Sequence, residues 1–293
     1  MKTLNNYISE ALIKKDTKIR IHNYQPKDQY ELRDLLEQLL KERGKDADLN
    51  DIDVSNITSM AYGINSDRRG LFNGLDPHNI DISEWDVSNV QDMRYMFTNC
   101  INFNCDLSKW DVSNVETMRR TFLKCEKFTG KGLSKWNIRN VKEISGMFCR
   151  CESFDGKEIE NWNINNGKIK SLNSTFKRCI NFNADLSNWD VSNIEEMENT
   201  FEKCKSFEGK GLEKWNTKNL EDLYEMFVDC EKLQADLSNW STKKIKDMGY
   251  AFERCEKLNC DFNKWKIDKK ITDIDGAFDG CISLTNIPNW YEV

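Results

Sequence analysis

The sequence predicts an α/β solenoid, with a parallel sheet along one face, short helical turns on the opposite face and an α/β cap at the N-terminal end. Three observations carry this. All nine tryptophans (Trp85, Trp110, Trp136, Trp162, Trp189, Trp215, Trp240, Trp265, Trp290) hold one position of a repeat, at spacings of 25, 26, 26, 27, 26, 25, 25 and 25 residues. Counted from Trp in the regular copies, apolar residues return at −3, +2, +5, +8 and +12 with few exceptions, which for Trp110 are Leu107, Val112, Val115, Met118 and Phe122. Eight cysteines (Cys100, Cys125, Cys151, Cys179, Cys204, Cys230, Cys255, Cys281) each follow a Phe by three residues. A period of about 20 to 50 residues marks stacked units, none of which buries its apolar face alone.

Residues 1–45 lie outside the repeat and read as a helix-strand-helix cap. Leu4, Tyr7, Ile8, Ala11 and Leu12 fall at helical spacing, Ile19 and Ile21 alternate as in a strand, and a second helix starts near Pro26, carries Leu32, Leu35, Leu36, Leu39 and Leu40 on one stripe and stops at Gly44. The solenoid, 46–293, contains about nine repeats. Its first copy is degenerate: Ile52 stands in for Trp, the second half is missing, and 61–80 form an irregular excursion before regular coiling resumes at Ile82.

Within a copy, Trp-x-Val alternates with period two, so a strand is expected around the residue after Trp, stacking on its neighbours at about 4.8 Å. The Val/Met/Phe/Cys half is spaced by three and four, which predicts a helical turn. Longer copies gain a residue at Gly-containing corners such as Gly130-Lys-Gly132 and Gly209-Lys-Gly211, where positive backbone angles are permitted. Other insertions fall at Asn166-Gly167 and Lys269-Lys270.

Hydrophobic content of 39% and charged content of 31% exclude a membrane protein, no run reaches the ~18 apolar residues of a bilayer span, and the first 30 residues lack an apolar signal core. Net charge is −6, spread as alternating Lys and Glu without a basic stripe, so no nucleic-acid partner is expected. The cysteine count of 11 is odd and eight of them sit in one register, which predicts a packed column of reduced thiols and a reducing setting.

The last copy, Ile271-Thr-Asp-Ile274-Asp-Gly-Ala277-Phe278-Asp-Gly-Cys281-Ile-Ser-Leu284-Thr-Asn-Ile287-Pro288, resembles the I-x-x-I-x-x-A-F-x-x-C-x-x-L-x-x-I-P consensus of BspA-like proteins and the 26-residue bacterial surface-protein repeat. The resemblance covers residues 49–290 and implies a leucine-rich-repeat-like solenoid that acts as a non-catalytic recognition surface, often an adhesin; the sequence departs from secreted members in lacking a signal peptide. Met1-Lys-Thr through Glu10 also resembles the capsid-targeting leader of T-even-type phage internal proteins, which implies cleavage after Glu10.

Two histidines, His22 and His78, have no nucleophile in context, and the Gly-Lys-Gly corners lack a phosphate-loop frame, so neither an enzyme nor a cofactor or metal site is expected. Both the Trp and the Cys columns are assigned inward. Asn89, Asn114, Asn140, Asn166, Asn193 and Asn219, at Trp+4, are expected to form a buried amide column. The residues beside Trp remain as the candidate binding face: Lys109, Asp111, Lys135, Asn137, Asn188, Asp190, Lys214, Asn216, Asn239, Lys264 and Lys266. The function expected is a protein-protein interaction module with an unknown protein partner, cytoplasmic or in a virion; the alternatives are a phage structural or capsid-packaged protein and a surface adhesin. The chain stops three residues past Trp290, which suggests self-association through an open C-terminal edge.

Overall fold

A computed structural model describes residues 22–63, 69–268, 270 and 272–291. The expected first helix, the Ile19/Ile21 strand and the Glu10 cleavage point lie outside the described residues. The chain builds a solenoid of nine coils, numbered here from coil 1 around Ile52 and coil 2 around Trp85 to coil 9 around Trp265.

Backbone hydrogen bonds hold the coils together, on the side opposite to the one expected. Met93, Tyr95, Phe97 and Asn99 donate their N–H groups to the carbonyls of Thr117, Arg119, Thr121 and Leu123 in the next coil, at 2.9 to 3.0 Å. The same four bonds, from Trp+8, +10, +12 and +14 to the next coil's +7, +9, +11 and +13, recur from coil 3 to coil 4 and at every junction from coil 5 to coil 9; positions are named as in coil 3, the insertions after Trp162 and Trp265 setting them two residues later in coil 5 and one later in coil 9. N–H groups in between close turns within the coil, as Met96 N to Met93 O and Cys100 N to Phe97 O. This alternation requires a left-handed residue at the third place of each turn, as in type II turns. Positive φ recurs at Trp+10 (Tyr95 60°, Arg120 54°) and at Trp+14 (Asn99 64°, Lys124 62°). A non-glycine residue costs about 1–2 kcal/mol there, which is tolerable because each such residue aims its own N–H into the ladder.

The α/β expectation is therefore corrected inside the repeats. The Met/Phe/Cys half is a train of turns with parallel bridges at Trp+7, as Asp92 to Thr117 to Glu143 and Glu196 to Asp222 to Asp247 to Asp273. Among the described residues no strand ladder flanks Trp; the segments entering Trp136, Trp215 and Trp265 are 3-10 turns (Leu133–Lys135, Leu212–Lys214, Phe262–Lys264). Spacings of three and four do not separate a helix from successive four-residue turns, and that is why periodicity misassigned this half.

The columns themselves stand as expected. Trp85 to Trp265 are no more than 5% exposed, and each Trp indole N–H donates to the carbonyl three residues before the previous coil's Trp position, as Trp110 to Ile82 and Trp136 to Leu107. Trp290 is half-buried and keeps the bond, to Phe262 O at 2.9 Å. Two Phe columns stack beside them, with Phe97, Phe122 and Phe148 at 5.5 and 5.8 Å and Phe103 and Phe128 at 5.9 Å.

In the degenerate copy the second half is displaced, not lost. A two-stranded hairpin, β1 (Ala61–Tyr62) and β2 (Arg69–Gly70), is inserted after Met60. Gly70 to Leu75 then rejoin the array: Phe72 donates to Met96 O, stacks 5.1 Å from Phe97, and Leu75 takes the Cys position. Coiling thus resumes at Gly70, ahead of Ile82.

The cap helix, α1 (Gln29–Arg43), starts three residues after Pro26 because the Asp28 carboxylate accepts from the N–H of Tyr30 and Glu31, and it ends at Gly44, φ 86°. Leu32, Leu36, Leu39 and Leu40 are buried on the solenoid core, with Leu35 half-buried beside them. On the same helix, the Arg33 guanidinium donates to Leu71 O (2.7 Å) and Asn73 O (2.8 Å). Those are the Trp+11 and Trp+13 carbonyls that a preceding coil would otherwise satisfy, so α1 closes the carbonyl end of the ladder.

Two substitutions test this packing. Trp110→Ala removes a buried indole and its hydrogen bond and is expected to cost about 3–5 kcal/mol in thermal denaturation; a wild-type melting curve would contradict the inward column. At the Gly211 corner (φ 93°) an added Cβ would meet Ser187 N at 2.2 Å, whereas Gly167 (φ 74°) has nothing within 4 Å. Both lose left-handed freedom, so Gly211→Ala is expected to destabilise the chain clearly more than Gly167→Ala; equal effects would contradict the close approach.

Candidate functional site

The sequence-predicted residues fall into three sets. The column thiols are buried or nearly so, all are free, and each donates to the carbonyl of the previous coil's Phe: Cys125 to Phe97 at 3.0 Å, Cys179 to Phe148 at 2.9 Å, Cys255 to Phe227 at 3.1 Å. Burial pushes these thiols far above the ordinary cysteine value, and pushes Cys105 and Cys260, outside the column, up to about 11. They behave as apolar S–H donors, not nucleophiles.

The Trp+4 amides do bridge coils, as Asn114 to Ser88 O (2.7 Å), Asn140 to Ser113 O (2.7 Å) and Asn219 to Ser192 O (2.8 Å). They are exposed or half-buried, however, which corrects the buried column. Trp and Val at +2 fill the interior of that side, leaving Trp+4 at its rim.

All eleven residues of the Trp-flanking strip are exposed. Many of their polar atoms serve their own coil: Asp111 and Asp190 accept from the N–H of Ser113 and Ser192, and Asn137 and Asn216 from Arg139 and Lys218. Lys109 pairs with Glu84 of the previous coil, and Asn188 with Asn161. The strip is a ridge of mixed sign.

The ladder creates a different surface. At Trp+9, +10, +13 and +14 most side chains reach the surface, though Thr98, Asn199, Glu202 and Val228 are buried, and down the array these positions separate by charge. In coils 2–5 they hold seven basic residues and no acidic one: Arg94, Arg119, Arg120, Lys124, Arg150, Lys177 and Arg178. In coils 6–9 they hold seven acidic residues, Glu198, Glu202, Glu225, Asp229, Glu253, Asp275 and Asp279, against Lys203 and Arg254. The expectation of evenly alternating charge fails here, because residues one coil apart in space are about 25 apart in sequence.

Pairing within the face leaves both halves charged. Arg94 is held by Asp92 (2.7 Å) and Arg119 by Glu143 (3.2 Å). Among the described residues Arg120, Lys124, Arg150 and Arg178 have no carboxylate partner, and the Nε atoms of Arg119 and Arg178 are buried without one. In the acidic half, Glu202 is buried between Lys177 and Lys203, and Asp229 is shared by Lys203 and Arg254. Glu198 is held above the usual carboxylate range, first by burial and then by Asp222; Asp222 is raised as well, by burial and by its neighbour Asp247.

A groove of about 450 Å³ crosses the basic half into coil 6, lined by Arg119, Arg120, Ser145, Gly146, Ser174 and Glu198 among others. Small residues at Trp+9 and +10 of coils 4 and 5 form its floor. Between coils 4 and 5, across the Asn166-Gly167 insertion, three of the four ladder bonds are made. Among the described residues no group of His, Cys, Asp and Glu is arranged to hold a metal ion, and no helix is long and apolar enough to cross a membrane.

A profile of one repeat family matches residues 66–171, 124–211 and 170–290, most of the chain. The chain belongs to the family described as Mycoplasma protein of unknown function, DUF285. The matches overlap one another, as a chain of similar repeats allows. No curated protein matches this DUF285 chain. A solved structure described as "Crystal structure of TLR13-ssRNA13 complex" aligns over 88% of this chain and 48% of that one, at 13% identity and a TM-score of 0.21. The chain spans about half the length of that protein, and a similarity this low carries no argument.

The thiols make a pH prediction. Their pKa values are raised by folding above the ordinary thiol value of about 9, so the stability they contribute is complete below about pH 9 and is lost as pH climbs toward the folded values, about 11 for Cys105 and Cys260 and about 12 for Cys281. Denaturant midpoints should fall between pH 8.5 and 11 by the linkage slope; a flat profile would contradict protonated, buried thiols.

Proposed function

We propose that this DUF285 chain is a non-catalytic protein-protein interaction module and that it binds through the laddered face. The observation that carries the proposal is the separation of charge along eight coils. At about 4.8 Å per coil each half is roughly 20 Å long, beyond the ~8 Å screening length at physiological salt, so a partner meets two fields of opposite sign. Fixed charge on an extended solenoid face steers encounter and sets orientation. The Trp-flanking strip, Lys109 to Lys266, is the weaker candidate, since its polar atoms are engaged locally.

The period and the terminal-copy motif support membership of the wider BspA-like, leucine-rich-repeat-like set. Free thiols that act as S–H donors support a reducing setting, cytoplasmic or within a virion. The alternatives are a phage protein cleaved after Glu10, a point outside the described residues, and a surface adhesin.

Affinity capture from the natural source, followed by mass spectrometry, tests the face. Bait carrying R120E and R150E is expected to lose partners that bait carrying K109E and K135E retains. Loss with the second pair alone would move the site to the Trp-flanking strip.

A further inference from the structure

We infer that the laddered face takes a second copy of this chain, docked face to face with the two solenoid axes antiparallel. The inference rests on the binding face proposed above and names its occupant. Two identical faces meet about a two-fold axis lying in their interface. With that axis along the stacking direction each coil lies on its own copy, and basic half meets basic half. With the axis across the stacking direction coil 2 lies on coil 9 and coil 4 on coil 7, so each basic half covers the other copy's acidic half. Every contact is then made twice, and charge selects this arrangement.

Size follows the same pairing. Under the transverse axis a repeat position meets the same position of the second copy. At Trp+10, Tyr95 of coil 2 then meets Gly276 of coil 9, and Gly146 of coil 4 meets Glu225 of coil 7. At Trp+9, Arg94 meets Asp275, Arg119 meets Gly249 and Ser145 meets Tyr224. Three opposite-charge pairs result, Arg94 on Asp275, Arg150 on Asp229 and Lys177 on Glu202, and small residues take Tyr95, Arg119, Tyr224 and Glu225, whereas Arg120 meets Tyr250. The groove floored by Gly146 and Ser174 receives the Tyr224 ring, which stands 6.3 Å from Tyr250 on the acidic half.

Two pairs at Trp+14 run against the pattern, Lys124 on Arg254 and Arg178 on Lys203. Both acidic-half cations are already engaged in their own chain, Arg254 with Asp229 and Glu253, and Lys203 with Glu202. The face is about 40 Å long and roughly 15 Å wide, so about 1,200 Å² is buried in all, at the lower bound of specific interfaces. The association is accordingly weak and sensitive to salt.

Sedimentation equilibrium over a concentration series, at low and high salt, tests this with a charge swap. Wild type is expected to dimerise at low salt and to dissociate as salt rises. R120E/R150E, which reverses two unpaired cations of the basic half, and E225K/E253K, which reverses two carboxylates of the acidic half that covers it, should each weaken self-association about tenfold or more. An equimolar mixture of the two variants should recover the wild-type dimer, which also shows that both variants are folded. A wild type that is monomeric throughout would overturn self-docking and leave the binding face to its own capture experiment. A dimer indifferent to both variants and to salt would also overturn it, by placing the contact elsewhere.

Discussion

Everything in this molecule depends on one backbone device: alternate N–H groups between Trp+8 and Trp+14 point out of their own coil and into the next. In a β-strand this happens on both sides at once, because successive amides face opposite ways. Here left-handed residues at Trp+10 and Trp+14 fold the chain into consecutive turns, sending Tyr95, Phe97 and Asn99 N–H one way while the intervening amides close the turns. The coils therefore stack in strict register, and stacking in register turns a sequence position into a column. Indole to carbonyl, thiol to carbonyl and Phe on Phe are each one such column, and α1 ends the system by giving Arg33 to the carbonyls that have no coil before them.

The same register explains why the exposed side of the ladder is where chemistry collects. Four of every seven residues from Trp+8 to Trp+14 carry side chains outward or along the face, close to the nearest coils above and below. Like charges placed there repel over about 5 Å, so Arg120, Arg150 and Arg178, which have no carboxylate partner among the described residues, carry an energetic cost within a free chain. A partner of opposite charge offsets that cost. The two histidines lie apart from this face, each by a single aspartate, His22 near Asp53 and His78 near Asp76, and both are at least partly exposed.

The interior was legible in the sequence because its residue types are rare and strict. Trp, Phe and Cys return at fixed spacing, and Ile52 could be recognised as a Trp substitute since Leu49, Val54 and Ile57 kept their places around it. The stop of α1 at Gly44 was legible for the same local reason. What escaped was set by contacts between coils. Residues such as Lys124 and Arg150 carry no mark of left-handed backbone, and spacings of three and four fit a helix as well as a train of turns. Gly70 to Leu75 was hidden behind a hairpin of undiagnostic residues. The charged face was present in the sequence all along, but only as columns: along the chain Lys and Glu alternate, whereas down Trp+9, +10, +13 and +14 they separate.

Native-state hydrogen exchange resolved by residue tests the ladder most directly. If the backbone bonds lie where described, the amides of Tyr95, Phe97, Asn99, Arg120 and Phe122 exchange slowly although they sit beneath a solvent-facing surface, whereas the amides of Asp111, Asn137 and Asp190, which have no backbone partner among the described residues, exchange fast. Slow exchange at Asp111, Asn137 and Asp190 with fast exchange at Tyr95 and Asn99 would return the sheet to the Trp side and contradict the account.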